Sequence, residues 1–166
     1  LFDEAGREVA PGEVGELYSR TPWCFEGYWN LPNKTAEAFR GAYLSVGDMA
    51  RRDVDGFYTL VDRKNNMIIS GGENVYPSEV ENILGGHQKV HDVAVIGRPD
   101  AKWGEAVHAV IVLRDGEKAT ESEIMEWCSG RLAGYKRPKS VSFIADAQMP
   151  RTATGKIQHR ILKSRL

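Results

Sequence analysis

Cysteine is scarce in this chain: Cys24 and Cys128 stand in unrelated contexts, with no C-x-x-C pair. Neither a zinc site nor a disulfide framework is expected, and both thiols should be reduced and packed. Charge of one sign is lacking as well. With 22 Lys and Arg against 23 Asp and Glu, the formal net charge is -1, which gives no field to draw in nucleic acid or an anionic membrane surface. No apolar run approaches the roughly 20 residues a bilayer crossing needs. The chain opens Leu1-Phe2-Asp3-Glu4 rather than with a basic segment followed by an apolar one, so a soluble, cytoplasmic protein without a membrane span is expected. Neither G-x-S-x-G nor H-E-x-x-H occurs, which leaves serine-hydrolase and zinc-protease chemistry without support. Internal repeats and low-complexity stretches are also missing. There is no initiator methionine, and Leu1 to Val9 reads as strand-turn-strand; Leu1 is therefore expected to be a boundary inside a longer chain.

What is present bounds the architecture. At 166 residues, 42% of them hydrophobic, the chain can build one full core and a small appendage. Residues 1 to 63 are rich in turn signals such as Pro11-Gly12-Glu13, Asn30-Leu31-Pro32 and Asp53-Val54-Asp55-Gly56, which separate short apolar runs. That pattern predicts a β-rich segment with one helix, Asn33 to Phe39. From residue 64 the pattern alternates. A strand over Met67 to Ser70 ends at Gly71-Gly72, and Pro77 opens a helix with Val80, Ile83 and Leu84 as its apolar stripe and Gly85-Gly86 as its stop. Asp92 to Gly97 and Val107 to Leu113 are β-branched runs of strand length. Thr120 and Glu123 form a capping-box pattern for a helix presenting Ile124, Trp127, Cys128 and Leu132, followed by a strand over Ser140 to Ile144 and a basic terminal helix. The expected fold is α+β, a small sheet covered by helices.

Several polar stretches are candidates for chemistry. Pro150-Arg151-Thr152-Ala153-Thr154-Gly155-Lys156 invites a phosphate-loop interpretation, but that motif needs glycine where Pro150 stands and Ser or Thr where Ile157 stands. It is not a Walker loop. What remains is a turn of threonine hydroxyls, backbone N–H groups and one ammonium at the expected start of a helix, able to hold an anion; on local chemistry alone a capping turn with a solvated lysine accounts for it better. Ile69-Ser70-Gly71-Gly72-Glu73-Asn74 is either a strand-to-helix connection or a place where backbone approaches a ligand closely. Asp48, and Arg63 after Asp62, are charged groups at strand ends, suited to ribose hydroxyls but more simply a surface salt bridge. His87 and His91 straddle a helix stop and are expected at the surface. The basic runs Tyr135 to Lys139 and Lys156 to Arg165 fit solvated faces better than a nucleic-acid surface.

Together, in order and spacing, these stretches resemble the acyl-adenylate-forming (AMP-binding) superfamily. The resemblance runs through Gly27-Tyr28-Trp29-Asn30, Lys34-Thr35 to Phe39, Ser45 to Asp48, Asp62-Arg63, Gly71 to Pro77 with Glu79-Val80-Glu81, and Pro150 to Lys156. Gly71-Gly72-Glu73-Asn74-Val75-Tyr76-Pro77 is most similar to the fatty-acid and aryl-acid CoA ligases. The resemblance implies the C-terminal part of an AMP-forming acyl-CoA synthetase: residues 1–63 as the β-rich end of the large adenylation domain and 64–166 as the C-terminal lid domain. It implies ATP, Mg2+ with ligands upstream of this chain, CoA as co-substrate, a carboxylic acid substrate, and the missing large domain as partner. By the same resemblance Lys156 is catalytic, Asp48, Arg63 and Lys156 bind the nucleotide, Gly71, Gly72 and Glu73 bind CoA, and Asn65 is the hinge. Two positions depart from the family pattern: Asn65, where lysine or aspartate is usual, and Val46, where threonine is usual. Loading of a carrier protein, or a noncatalytic CoA- or nucleotide-binding module, are the competing expectations.

Overall fold

A computed structural model describes residues 1–165, and the chain forms two compact units, Leu1–Asn65 and the remainder from Asn66. In the first unit, β1 (Val14–Ser19), β2 (Phe39–Arg40), β3 (Tyr43–Arg52) and β4 (Tyr58–Arg63) form one antiparallel sheet with β3 at its centre. Its turns fall where positive-φ glycine was available. Gly41 (φ 58°) joins β2 to β3 and Gly56 (φ 90°) joins β3 to β4; a side chain in that region would clash with its own backbone. Gly47 (φ 79°) lies inside β3, in the stretch between Ser45 and Met49 where the pairing with β1 slips register. The helix α1 runs Pro32–Ala38 with proline in its first turn, close to the expected span. This unit buries little: Leu44, Met49 and Ala50 are its core hydrophobics, while Trp23, Trp29, Val54 and Phe57 are 73–90% exposed.

The second unit is built on two long strands, β7 (Val90–Asp100) and β8 (Gly104–Leu113), paired antiparallel along their length. Both are longer than the apolar runs that predicted them, because ladder hydrogen bonds carry the strands past Gly97 and out to Asp100 and Gly104. The other edge of β8 takes β9 (Ser140–Phe143) in parallel and β5 (Ile68–Ser70) antiparallel, and β5 pairs in turn with β6 (Glu73–Val75). The sheet is mixed, as expected, but β6 was not anticipated.

Alternation of side chains along these strands makes two cores. Val93, Val95, Val107, Ala109 and Ile111 face α2 (Pro77–Gly85) and α3 (Glu121–Trp127), packing with Val80, Leu84, Ile124, Cys128 and Leu132. Ala94, Ile96, Val110 and Val112 face the C-terminal segment, where Met149 and, from α4 (His159–Arg165), Leu162 close over them. Isolated helices this short are unstable in water, so α2 depends on burying Val80 and Leu84, each contributing about 1.5–3 kcal/mol. Pro77 occupies the first turn of α2 and Gly86 its C-cap. Thr120 caps α3 by accepting a hydrogen bond from the Glu123 amide at 3.2 Å, whereas the Glu123 carboxylate binds Lys89 at 2.7 Å. The indole N–H of Trp127 donates to the Ile83 carbonyl at 2.8 Å, tying α3 to α2. Among the described residues no helix is long and apolar enough to cross a membrane.

Candidate functional site

Lys156 stands on a closed loop rather than at a helix start. Arg151 and Ile157 form an antiparallel bridge; the Thr152 amide donates to the Lys156 carbonyl at 2.8 Å and the Gly155 amide to the Thr152 carbonyl at 2.9 Å. The Lys156 amide donates to Thr152 Oγ1 at 3.1 Å. These three amides are therefore spent inside the loop, and α4 begins only at His159, which corrects the expectation that the turn opens a helix. What the loop offers outward is its ammonium. Lys156 is exposed, and no ion pair to it forms among the described residues.

Gly71 and Gly72, at φ 62° and 84°, make the two-residue turn of the β5–β6 hairpin, in place of the expected link from strand to helix. Two successive positive-φ residues match the twist of paired strands. The Gly71 amide donates to the Trp103 carbonyl at 2.8 Å, and a Cβ on Gly71 would stand 2.9 Å from the Trp103 ring, while one on Gly72 would meet open space. Lys102 and Lys139 flank that indole, with ammonium groups 4.8 and 5.4 Å from its centroid. Glu73 is exposed at the turn's far side.

In the first unit Asp48 and Arg63 sit opposite each other on β3 and β4, with Arg63 Nε 3.0 Å from Asp48 Oδ1. The same guanidinium donates to the Val46 carbonyl at 3.2 Å. Asn65 is exposed beside Lys64, whose ammonium lies 2.7 Å from the half-buried Glu16. Burial pushes the Glu16 carboxyl up, but hydrogen bonds from Lys64 and Ser45 and the Lys64 charge outweigh it and leave the group below its ordinary value. Glu16, Lys34, Ser45, Gly47, Lys64 and Asn65 line a cleft of this unit.

Comparison with known proteins gives this geometry its family. Residues 79–156 match the AMP-binding enzyme C-terminal domain family. The chain is 48% identical over 157 residues to the feruloyl-CoA synthase of an Amycolatopsis species, covering 95% of this chain and 32% of that enzyme. It is 42% identical to the medium/long-chain-fatty-acid–CoA ligase FadD8 of Mycobacterium tuberculosis, covering 99% and 30%, and 40% identical to the fatty acid–[acyl-carrier-protein] ligase ScoC of Streptomyces coeruleorubidus, covering 99% and 31%. The solved structure of ATP-bound MatB from Rhodopseudomonas palustris matches with a TM-score of 0.91 at 35% identity, over 99% of this chain and 32% of that one. The chain belongs to the acyl-adenylate-forming superfamily. It spans about a third of the length of these superfamily members, and its α+β architecture is that of their C-terminal part.

Three groups in this superfamily member escaped sequence reasoning. His87 is buried rather than at the surface, its ring 5.0 Å from that of Trp127 in an edge contact; His91 is exposed as expected. His108 is 1% exposed, with Nδ1 2.7 Å from Ser140 Oγ and Nε2 without a hydrogen-bond partner among the described residues. Burial first, and the Arg98 charge second, lower its pKa to about 4. Glu105 holds two elements at once, accepting the Ile69 amide at 3.1 Å and pairing with Lys163 of α4 at 2.6 Å. A Cβ on Gly97 would sit 2.9 Å from its carboxylate. No residue-type pattern announces these last contacts, because each joins positions far apart in sequence.

Proposed function

We propose that this chain is the C-terminal part of an AMP-forming acyl-CoA synthetase, inert by itself, whose complete enzyme converts a carboxylate, ATP and CoA into acyl-CoA, AMP and pyrophosphate. The observation that carries the proposal is Lys156, an exposed ammonium with no ion pair among the described residues, on a loop closed by its own hydrogen bonds. In adenylation a carboxylate oxygen attacks the α-phosphorus of ATP and pyrophosphate leaves, so two anions must meet. A preorganised cation beside them stabilises the charge that shifts in the transition state. Lys156 is that cation. Asp48 accepts hydrogen bonds from the ribose hydroxyls, with Arg63 orienting its carboxylate.

In the second step the CoA thiol attacks the acyl carbon and AMP departs. Gly71 and Gly72 let the pantetheine chain run close to backbone, with Glu73 at the turn. Residues 1–63 are the end of the large adenylation domain and 64–166 the lid, which swings about Asn65 between the two steps. The division of the chain into units between Asn65 and Asn66 supports that pivot. Mg2+ is held by residues upstream of this chain.

The similarity to ScoC favours a second reading, in which the acceptor thiol belongs to an acyl-carrier protein. One experiment addresses both. The complete enzyme, and this chain with and without a separately made large domain, are incubated with ATP, Mg2+ and ferulate, decanoate or indoleacetate, offering CoA or a holo-carrier protein. AMP release only when the large domain is present, thioester on CoA, and a loss of about 100-fold or more in adenylation with Lys156→Ala are expected. Turnover by the chain alone, or full adenylation by the Lys156→Ala enzyme, overturns the proposal.

A further inference from the structure

The loop that carries Lys156 is fastened at its base by one side chain. Arg151 directs one guanidinium nitrogen to Asp92 of β7 at 2.7 Å and another to Asp146 at 2.5 Å. Three quarters of the Arg151 side chain is shielded from solvent, and Asp92 is itself fixed, accepting the Val93 amide at 2.9 Å. On the other side of the backbone, the Arg151 carbonyl accepts from the Gln158 side chain at 2.9 Å, and the Pro150 carbonyl accepts the Gln158 amide at 2.8 Å. Below, Met149 and Ile157 seat the two stems of the loop in the core. Residues 152–156 are exposed, so their placement depends on how firmly residues 151 and 157 are held.

We infer that Arg151 is a positioning residue for adenylation: by clamping Asp92 and Asp146 together it sets where the Lys156 ammonium stands relative to the sheet. The inference rests on the proposed role of Lys156. A planar guanidinium can span two carboxylates in a fixed fork, whereas a lysine ammonium is a single point on a flexible stem. The Gly71-Gly72 turn is held through Trp103 and shares no hydrogen bond with this clamp. Loosening Arg151 should therefore weaken the step that uses Lys156 and spare the step that uses the turn.

The test is made in the complete enzyme, with two half-reactions measured separately: ATP–pyrophosphate exchange, using whichever of ferulate, decanoate or indoleacetate it activates fastest, and thioester formation from the matching synthetic acyl-adenylate and CoA. Arg151→Ala should lower exchange about 10- to 100-fold, as a displacement near 1 Å can, and leave thioester formation within about twofold. In a Lys156→Ala background, Arg151→Ala should cause no further loss of exchange, since the group it positions is gone. Arg151→Lys, which keeps charge and bulk, should fall between the wild type and Arg151→Ala; it serves if the alanine variant does not fold. Equal loss in both half-reactions, additivity with Lys156→Ala, or unchanged exchange in both Arg151 variants overturns the inference. Undiminished exchange by Lys156→Ala alone overturns the lysine's role and this inference with it, an outcome distinct from an Arg151 failure beside an impaired Lys156→Ala.

Discussion

The two units solve the problem of a β-sheet in opposite ways. From Asn66 onward both faces of the sheet are covered, one by α2 and α3 and the other by the C-terminal segment, and the central stretches of β7 and β8 are buried. Residues 1–65 form a sheet of comparable strand number but keep Trp23, Trp29, Val54, Phe57 and Leu60 between 64% and 90% exposed. Its core hydrophobics are only Leu44, Met49 and Ala50. The comparison teaches that the second unit carries a substantial core of its own, whereas the first buries little.

Separating the units gives the largest expected effect. Expressed alone, residues 66–166 should unfold in a single cooperative thermal transition, while residues 1–65 should show none and should bind a hydrophobic dye; the reverse pattern in calorimetry would break the comparison. Single substitutions sharpen it. Leu84→Ala, at a fully buried site, should cost about 2–5 kcal/mol in chemical denaturation, against a change within about 0.5 kcal/mol for Leu60→Ala, which is 64% exposed.

Acid should act chiefly on the second unit through His108. Its folded pKa, about 4, lies below the ordinary 6.5, so between those values the unfolded chain binds the proton and the folded one does not. Stability is full above pH 6.5 and falls by about 3 kcal/mol as pH drops toward 4. Denaturation midpoints measured from pH 7 to 4 should show that slope, and His108→Phe should flatten it. The smallest effect is expected from Thr120→Ala, which removes the α3 cap at a cost of about 1 kcal/mol, read as a shift in urea midpoint.

The legibility of this molecule followed the range of the interactions involved. Helix α2 could be located from Pro77, its stripe and Gly85-Gly86, and α3 from Thr120, because caps and stripes are local. The strands β7 and β8 were visible as β-branched runs, since strands buried on both faces need no alternation. The strand β6 was not, because Glu73 and Asn74 are poor strand formers and are held there by pairing with Ile69 and Ser70. The turn around Lys156 is legible as a polar turn but reads as a helix end, because the Arg151–Ile157 bridge and the clamp to Asp92 join parts of the chain that no local pattern connects. His87 reads as a surface residue for the same reason, its cover being Trp127 in α3, 40 positions away.

Glu105 makes one practical demand on anyone who grafts pieces of this chain into a related enzyme. Its carboxylate lies over Gly97, accepts the amide of Ile69 just ahead of the glycine turn, and pairs with Lys163 in the terminal helix. A side chain brought in at 97 would meet the end of that carboxylate and turn it aside, at the expense of its bonds to Ile69 and Lys163, while strand pairing still holds the hairpin and Leu162 still seats the terminal helix. A transplant that keeps both contacts therefore takes glycine at 97 together with glutamate at 105.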